Sequence, residues 1–320
     1  MNMQIYTTGD NIGLNGTAVT LGKFDGLHLG HQELIRRLIQ EKKQSGLSPV
    51  LFSFDTAKRK GVSSLTTFRE RAQLCETFGI EHMVLFPVNE QTMAMSAEDF
   101  IREILAGELG ARTVVTGPDF RFGKDRKGSV DTLIRYSNRF DYSVITISSC
   151  LYKNEKISSS RIKQAMGQGN LKEAENMLGY RYFIIGTVIK GRQLGRTIGI
   201  RTLNLAVEKN KLLPLQGVYG TTAVIDGKKY KSITNIGTCP TVTDNGAVTV
   251  ETHVLDFEEE VYGSEAAVYF DFYIREERKF ENLEALQRQI CIDIERVREY
   301  VPHGAILRFA EEDFEFKMHE

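Results

Sequence analysis

The sequence predicts two architectures in succession: an α/β half built on a parallel sheet, then a β-barrel half closed by a long helix. From residue 18 to about 150, short β-branched and aromatic runs alternate with stretches of helical period, the pattern of a sheet whose crossovers are helices. Beyond Tyr182 strand-like runs follow one another directly. The last regular segment then places Leu283, Leu286, Ile290, Ile294, Val297 and Val301 on one helical face. At 320 residues the chain exceeds the size at which one hydrophobic core usually keeps growing, so two cores are expected.

In the first half, strands are expected at Ala18–Leu21, Val50–Phe54, Met83–Phe86, Thr113–Thr116 and Ser143–Ile147. Between them Leu34, Ile35, Leu38 and Ile39 recur at helical spacing, and Ser96 with Asp99 forms a capping-box pattern ahead of Phe100, Ile101 and Ile104. A further helix runs from an Asn170 cap, with Glu173 at the reciprocal position, to a stop at Gly179, and the boundary between the halves falls just after it. In the second half Gly217–Ile225 and Lys228–Thr234 are joined by Asp226-Gly227, the dipeptide of a two-residue type I′ hairpin. Strands Ala247–Leu255 and Ala266–Arg275 follow across a Glu-rich connection. Pro302 ends the closing helix, whose charged residues are expected to face water.

Composition is that of a folded chain, with 41% hydrophobic and 26% charged residues. A net charge of −1 provides no field to hold nucleic acid or an anionic membrane. The start, MNMQIYTTGDN, lacks a basic stretch followed by an apolar core, and no run reaches the roughly 18 apolar residues of a membrane span, so a cytoplasmic location is expected. Cys75, Cys150, Cys239 and Cys291 lie far apart with no CxxC pair; they are expected to be buried, reduced thiols rather than a zinc site or disulfide framework.

The segment Gly22-Lys-Phe-Asp-Gly-Leu-His-Leu-Gly-His31 joins a strand to a helix, and such turns lie at the carboxyl edge of a parallel sheet, where ligands bind. Glycines at 22, 26 and 30 allow a phosphate close to the backbone, the helix start supplies unpaired amides, and His28 and His31 fall on one face of the first turn. That set suits a triphosphate undergoing nucleotidyl transfer, where stabilising charge on the α-phosphate and pyrophosphate matters more than a strong base. The alternatives are a metal pair and histidines that cap the helix. In Lys156-Ile-Ser-Ser-Ser-Arg-Ile-Lys163 three hydroxyls precede a helix with basic side chains at 161 and 163, which reads equally as a phosphate grip or a helix cap.

Gly191-Arg-Gln-Leu-Gly-Arg-Thr-Ile-Gly-Ile-Arg-Thr-Leu-Asn-Leu205 combines three glycines with arginines, and no Gly-Lys-Ser/Thr ends it, which excludes a Walker loop. In an extended stretch Thr202 and Asn204 point to one side and offer two neutral oxygens to Mg²⁺, a hard cation that also takes phosphate oxygens and water. Glu251 stands on an alternating strand, with Val250 and Thr252 on the opposite face.

These motifs resemble the prokaryotic bifunctional riboflavin kinase and FAD synthetase family, whose first domain carries GxFDGxHxGH and ISSTxIR. Gly117-Pro-Asp-Phe-Arg-Phe-Gly123 is similar to its GxDFxFG element. The glycine loop is similar to GRxLGRxIGxPTANL, with Gly217-Val-Tyr219, Asn235–Thr241, Val250–Phe257 and Ile274–Phe280 following in order. The resemblance implies a Rossmann-like nucleotidyltransferase domain over residues 1–180 that turns FMN and ATP into FAD and pyrophosphate. It implies a riboflavin-kinase-type barrel with a closing helix over 181–303 that turns riboflavin and Mg-ATP into FMN, and leaves 304–320 as a tail without an assigned role.

By the same resemblance His28 and His31 are catalytic, and Glu251 is the base for the ribityl hydroxyl. Nucleotide contacts fall to Gly22, Phe24, Asp25, Gly26 and Gly30, to Ser158, Ser159, Ser160 and Lys163, and in the barrel to Gly191, Arg192, Gly195 and Gly199. Flavin contacts fall to Asp119, Phe120, Phe122 and Arg275, and the Mg²⁺ ligands to Thr202 and Asn204. The chain departs from the family where Phe54-Asp-Thr-Ala-Lys58 replaces FDPHP, where Ser160 and Lys163 alter ISSTxIR, and where Arg201 and Leu203 replace a proline and an alanine. Lys163 in place of a forked guanidinium gives up bidentate phosphate binding.

Overall fold

The computed structural model describes residues 3–7, 10–55, 63–191, 200–238 and 248–301. Sequence expectations for Thr56 to Lys58, Arg192, Gly195, Gly199, Cys239 to Ala247 and everything from Pro302 onward lie outside the described residues.

The first half is a parallel sheet of β1 (Gln4–Tyr6), β2 (Thr17–Gly22), β3 (Ser48–Asp55), β4 (His82–Pro87), β5 (Ala111–Thr116) and β6 (Ser143–Thr146), in the order β1-β4-β3-β2-β5-β6. Every neighbouring pair in it is parallel. The chain steps outward from β2 through β3 and β4, then returns to place β5 on the other flank of β2. A crevice therefore opens at the carboxyl ends of β2 and β5, where the strand order reverses. Central β2 is buried on both faces, and Thr17 and Thr20 bury their hydroxyls by donating to the carbonyls of Leu109 (2.7 Å) and Val115 (2.9 Å). The three-residue β1, absent from the sequence expectation, extends the sheet beyond β4.

Helix α1 (Leu29–Ser45) follows β2 and stops at Gly46, whose left-handed φ of 70° lets its N–H return to Lys42. Helix α2 (Phe68–Thr77) starts with a reciprocal box between Thr67 and Glu70, and α3 (Glu90–Ala94) with one between Asn89 and Thr92. The expected box at Ser96 is half formed. Ser96 accepts the Asp99 amide above α4 (Ala97–Asp99), but the Asp99 carboxylate takes the Ser96 hydroxyl instead of the Ser96 amide. Phe100–Glu108 then winds as a wider π-helical turn that ends with Leu109 N–H on the Ile104 carbonyl. Helix α5 (Val130–Phe140) leads to β6, and a small hairpin of β7 (Leu151–Tyr152) and β8 (Glu155–Lys156) precedes α6 (Ser159–Gly167). Helix α7 (Leu171–Leu178) has the Asn170 cap and the Gly179 stop, at φ 77°, that the sequence predicts.

The second half is a closed antiparallel barrel, β10-β13-β12-β11-β14-β9, of β9 (Phe183–Ile189), β10 (Leu203–Ala206), β11 (Gly217–Ile225), β12 (Lys228–Thr238), β13 (Val248–Val254) and β14 (Glu265–Arg275). Asp226 and Gly227 both have positive φ, 48° and 74°, as a type I′ turn demands. The interior is filled: Val250 and Val254 are buried, and the hydroxyls of Thr221, Ser232, Thr234 and Thr252 form a chain with 2.8–2.9 Å contacts. Space for a ligand therefore lies outside the wall, under α8 (Leu283–Glu299).

Two expectations are corrected here. The charged residues of α8 do not all face water, because Asp293 is 1% exposed and accepts from both Arg275 and Gln289. Nor are the thiols uniformly buried: Cys75 is, Cys150 is half-buried and Cys291 is exposed. The two halves share one hydrophobic cluster, running from Leu38 and Leu74 through Tyr180 and Phe183 to Phe270.

Candidate active sites

The sheet-edge crevice is a cavity of about 620 Å³ lined by Gly22, Phe24, Asp25, His28, Gly30 and His31 from the β2–α1 turn, with Gly117, Asp119 and Phe120 from the end of β5. Ser158, Ser159, Ser160 and Lys163 reach it from the start of α6. His28 and His31 stack with ring centroids 3.7 Å apart and planes 16° from parallel, and Phe24 packs edge-on against His31. His28 makes no side-chain cap to α1, which removes the capping alternative. The Nδ1 atoms of both rings are buried without a hydrogen-bond partner. Burial pulls the His28 imidazolium down to about 4 against the opposing pull of Asp25, and burial beside His28 holds His31 well below the usual range. Two neutral imidazoles therefore face the crevice at neutral pH.

Several predicted contacts work indirectly. Gly26 does not line the cavity; its N–H donates to Thr66 and its φ of 83° sets the turn. Phe122 is 3% exposed and sits in the core, stacked 5.4 Å from Phe120. Ser158 caps α6 by accepting from the Arg161 amide, and Ser159 donates to the Asp25 carbonyl at 2.8 Å. Arg161 turns away to the carbonyls of Tyr152 and Glu155, and Lys163 is engaged by Asp25 at 2.6 Å. Asp119 pairs with Lys156. Sequence reading missed Arg71, which enters the cavity from α2 and donates to Ser53 at 2.8 Å, and Arg126 from the turn after Gly123. The basic run Lys124-Asp-Arg-Lys127 was the available signal for Arg126; nothing local marks Arg71.

A second cavity, of about 560 Å³, lies between the outer barrel wall and α8. Glu251, Asn235, Thr202 and Arg275 supply polar groups, and Val218, Ile233, Leu283, Leu286 and Ile290 give it an apolar surface. Register explains the cluster. Asn204 on β10 and Asn235 on β12 both stand directly opposite Glu251 on β13, so the three side chains share the outer face. Thr202 also lines a smaller adjoining cleft, which Asn204 and Gly191 line with it, and Gly191 Cα lies so near Asn204 that an added Cβ would come within 2.0 Å of its amide nitrogen. Arg275 is held by Asp293 through two contacts of 2.9 Å. His253 lines this cavity too and has Nδ1 2.7 Å from the Arg201 carbonyl. Among the described residues no group of three or more His, Cys, Asp or Glu side chains forms a metal cage, and no helix is long and apolar enough to cross a membrane.

A family model described as FAD synthetase matches residues 11–161, and one described as riboflavin kinase matches residues 178–301. The bifunctional riboflavin kinase/FMN adenylyltransferase of Listeria monocytogenes is 33% identical over 290 residues, covering 88% of this chain and 91% of its own. That of Escherichia coli K12 is 31% identical over 292 residues, covering 89% and 93%. A crystal structure described as a macrolide-efflux protein from Streptococcus pneumoniae aligns over 93% of this chain and 100% of its own, with a TM-score of 0.82 at 29% identity. The two cavities, the two matched models and relatives spanning both halves place the chain in the bifunctional riboflavin kinase/FMN adenylyltransferase family.

Proposed function

We propose that the chain phosphorylates riboflavin to FMN with ATP at the barrel cavity and adenylylates FMN to FAD at the sheet crevice, with the division between the two units at residues 180/181. The observation that carries this reading is the presence of two separate cavities, each with its own phosphate-handling groups. In the barrel, Glu251 accepts the proton of the ribityl hydroxyl as that oxygen bonds to the γ-phosphorus; the bond to the β-bridging oxygen breaks and ADP leaves. Thr202 and Asn204 fit Mg²⁺, since they offer neutral oxygens without a carboxylate cage, the donor set of a cation that keeps phosphate and water ligands. When bound, Mg²⁺ neutralises phosphate charge. Arg275, fixed by Asp293, faces the same space and suits the flavin side.

In the crevice the attacking group is the FMN phosphate, so no base is needed. An FMN phosphate oxygen bonds to the α-phosphorus of ATP, the α–β bridging bond breaks and pyrophosphate leaves. The neutral His28 and His31 donate N–H groups to the charge that develops, in a site where burial strengthens each bond. Phe120 offers a ring face to the flavin, and the Asp25 turn cradles the phosphates.

The test is to incubate purified protein with riboflavin, ATP and Mg²⁺ and resolve FMN and FAD by chromatography. Both products are expected; FMN alone would leave the kinase as the single activity, and neither would leave a flavin-binding protein. Glu251→Gln is expected to abolish FMN formation and leave FMN-to-FAD conversion intact, and unchanged FMN output would remove Glu251 as the base.

A further inference from the structure

At the rim of the crevice, which Ser64 helps to line, the segment Ser64–Thr66 is gripped from two sides. On the barrel side, the Ser64 carbonyl accepts from Leu212 N–H at 2.8 Å and the Leu65 carbonyl accepts from Lys211 Nζ at 2.7 Å. On the crevice side, the amides of the same two peptide groups, Leu65 N–H and Thr66 N–H, donate to Asp25 Oδ1 at 2.7 and 3.3 Å. In a trans peptide the C=O and N–H point in opposite directions, so a donor that fixes the carbonyl also aims the amide. Asp25 Oδ2 in turn holds Lys163 at 2.6 Å, and the Asp25 carbonyl receives the Ser159 hydroxyl. The barrel loop, the Ser64 segment, the nucleotide cradle and the start of α6 thus form one hydrogen-bonded series.

Lys211 is the unusual member. Its ammonium is 1% exposed and gives three hydrogens to three acceptors: the Leu65 carbonyl, Glu70 Oε2 at 2.7 Å and the Phe183 carbonyl at 2.8 Å. Glu70, fully buried, also closes the box that starts α2 and takes the Ile185 amide from the barrel. A buried ion pair is weak ground for stability, because apolar replacements of similar volume are often neutral. What an apolar side chain cannot do is donate to the Leu65 carbonyl.

We infer that Lys211, a residue of the barrel unit, is a positioning residue for adenylyl transfer, aiming the Leu65 and Thr66 amides at Asp25 and so setting the nucleotide cradle of the other unit. The inference rests on the adenylyl-transfer reading of the crevice. It assigns the barrel a part in FAD formation that is separate from supplying FMN.

The full-length double variant Lys211→Met/Glu70→Gln removes the pair without leaving a lone buried charge. Its FMN-to-FAD kcat/KM is expected to fall about tenfold, mainly through a raised KM for ATP, while riboflavin phosphorylation stays within about twofold of wild type and the melting temperature holds. Wild-type FAD formation by the folded double variant overturns the inference alone. Parallel loss of both activities with a lowered melting temperature also overturns it, by assigning the pair to stability. A wild-type chain that makes no FAD overturns the crevice reading and this inference with it. Should the double variant not fold, Tyr182→Phe decides, since the Tyr182 hydroxyl lies 3.0 Å from the same Leu65 carbonyl. A few-fold rise in the ATP KM is then expected, and an unchanged value sinks the proposal.

Discussion

At the scale of single residues, the histidine pair would join stability to the proposed adenylyl transfer. The His28 pKa is depressed in the folded state, so its neutral form contributes stability that is present above the usual value of 6.5 and lost as pH falls through about 4. His28→Asn removes that titration. Between pH 7.5 and 4.5 the wild type should lose roughly 3 kcal/mol more than the variant, which urea unfolding at the two pH values measures. The same substitution should lower FMN adenylylation by about 10²–10³-fold and leave riboflavin phosphorylation unchanged, as the loss of one preorganised donor implies. The pair was legible in the sequence because its chemistry follows from local spacing at a helix start. Lys211, Arg71 and Asp293 were not, because each takes its meaning from residues brought near by the fold. Lys211 meets Leu65 across 146 positions, and Asp293 meets Arg275 only once α8 has folded back on the barrel.

Among elements, the exit of β9 bears directly on the proposed kinase cleft. Gly191 lies against Asn204 on β10, and the close approach leaves no room for a methyl group between them. Gly191→Ala should therefore displace Asn204 and reduce FMN formation about tenfold or more, with FAD formation from added FMN preserved; separate assays of the two half-reactions check this. The sequence located the major strands of the sheet and the Asp226-Gly227 hairpin, since alternation and turn chemistry are local signals. It overlooked β1 and the β7–β8 hairpin, which are too short to show a period, and the widening of the helix at Phe100, which no local residue preference encodes. It also passed over β9 and β10 as strands, because the glycine-rich segment between them dominates the composition there. The half-formed box at Ser96 shows the limit of pattern reading: the right residue pair is present, but the Asp99 carboxylate prefers the hydroxyl to the amide.

For the molecule as a whole, the seam between the units behaves as interior. Tyr180 donates to the Gly26 carbonyl at 2.5 Å, Tyr182 is 1% exposed beneath the Ser64 segment, and Arg181 is paired with Asp271 in a site where both side chains are nearly inaccessible. A continuous apolar cluster crosses this seam, so the two units should unfold together. Calorimetry of the ligand-free chain is expected to give one transition with matched calorimetric and van't Hoff enthalpies; two resolved transitions would show that the seam carries little of the stability. Sequence predicted two successive architectures, and the composition change after Gly179 was enough for that. The barrel's closure order and the docking of its loop on Ser64 required long-range pairing that no segment states alone.

The outer face of the barrel gives the closing helix an uneven footing. Toward its carboxyl end α8 is seated by Val297 in the core and by Lys231, which bonds the carbonyls of Arg298 and Tyr300. Toward its amino end Leu283, Leu286 and Ile290 overhang the open cavity, with Leu283 58% exposed. A planar aromatic guest in that space would give those side chains neighbours that the described residues do not supply. On the proposed reading, occupancy and packing would be one event, with the substrate a removable piece of the protein's own interior.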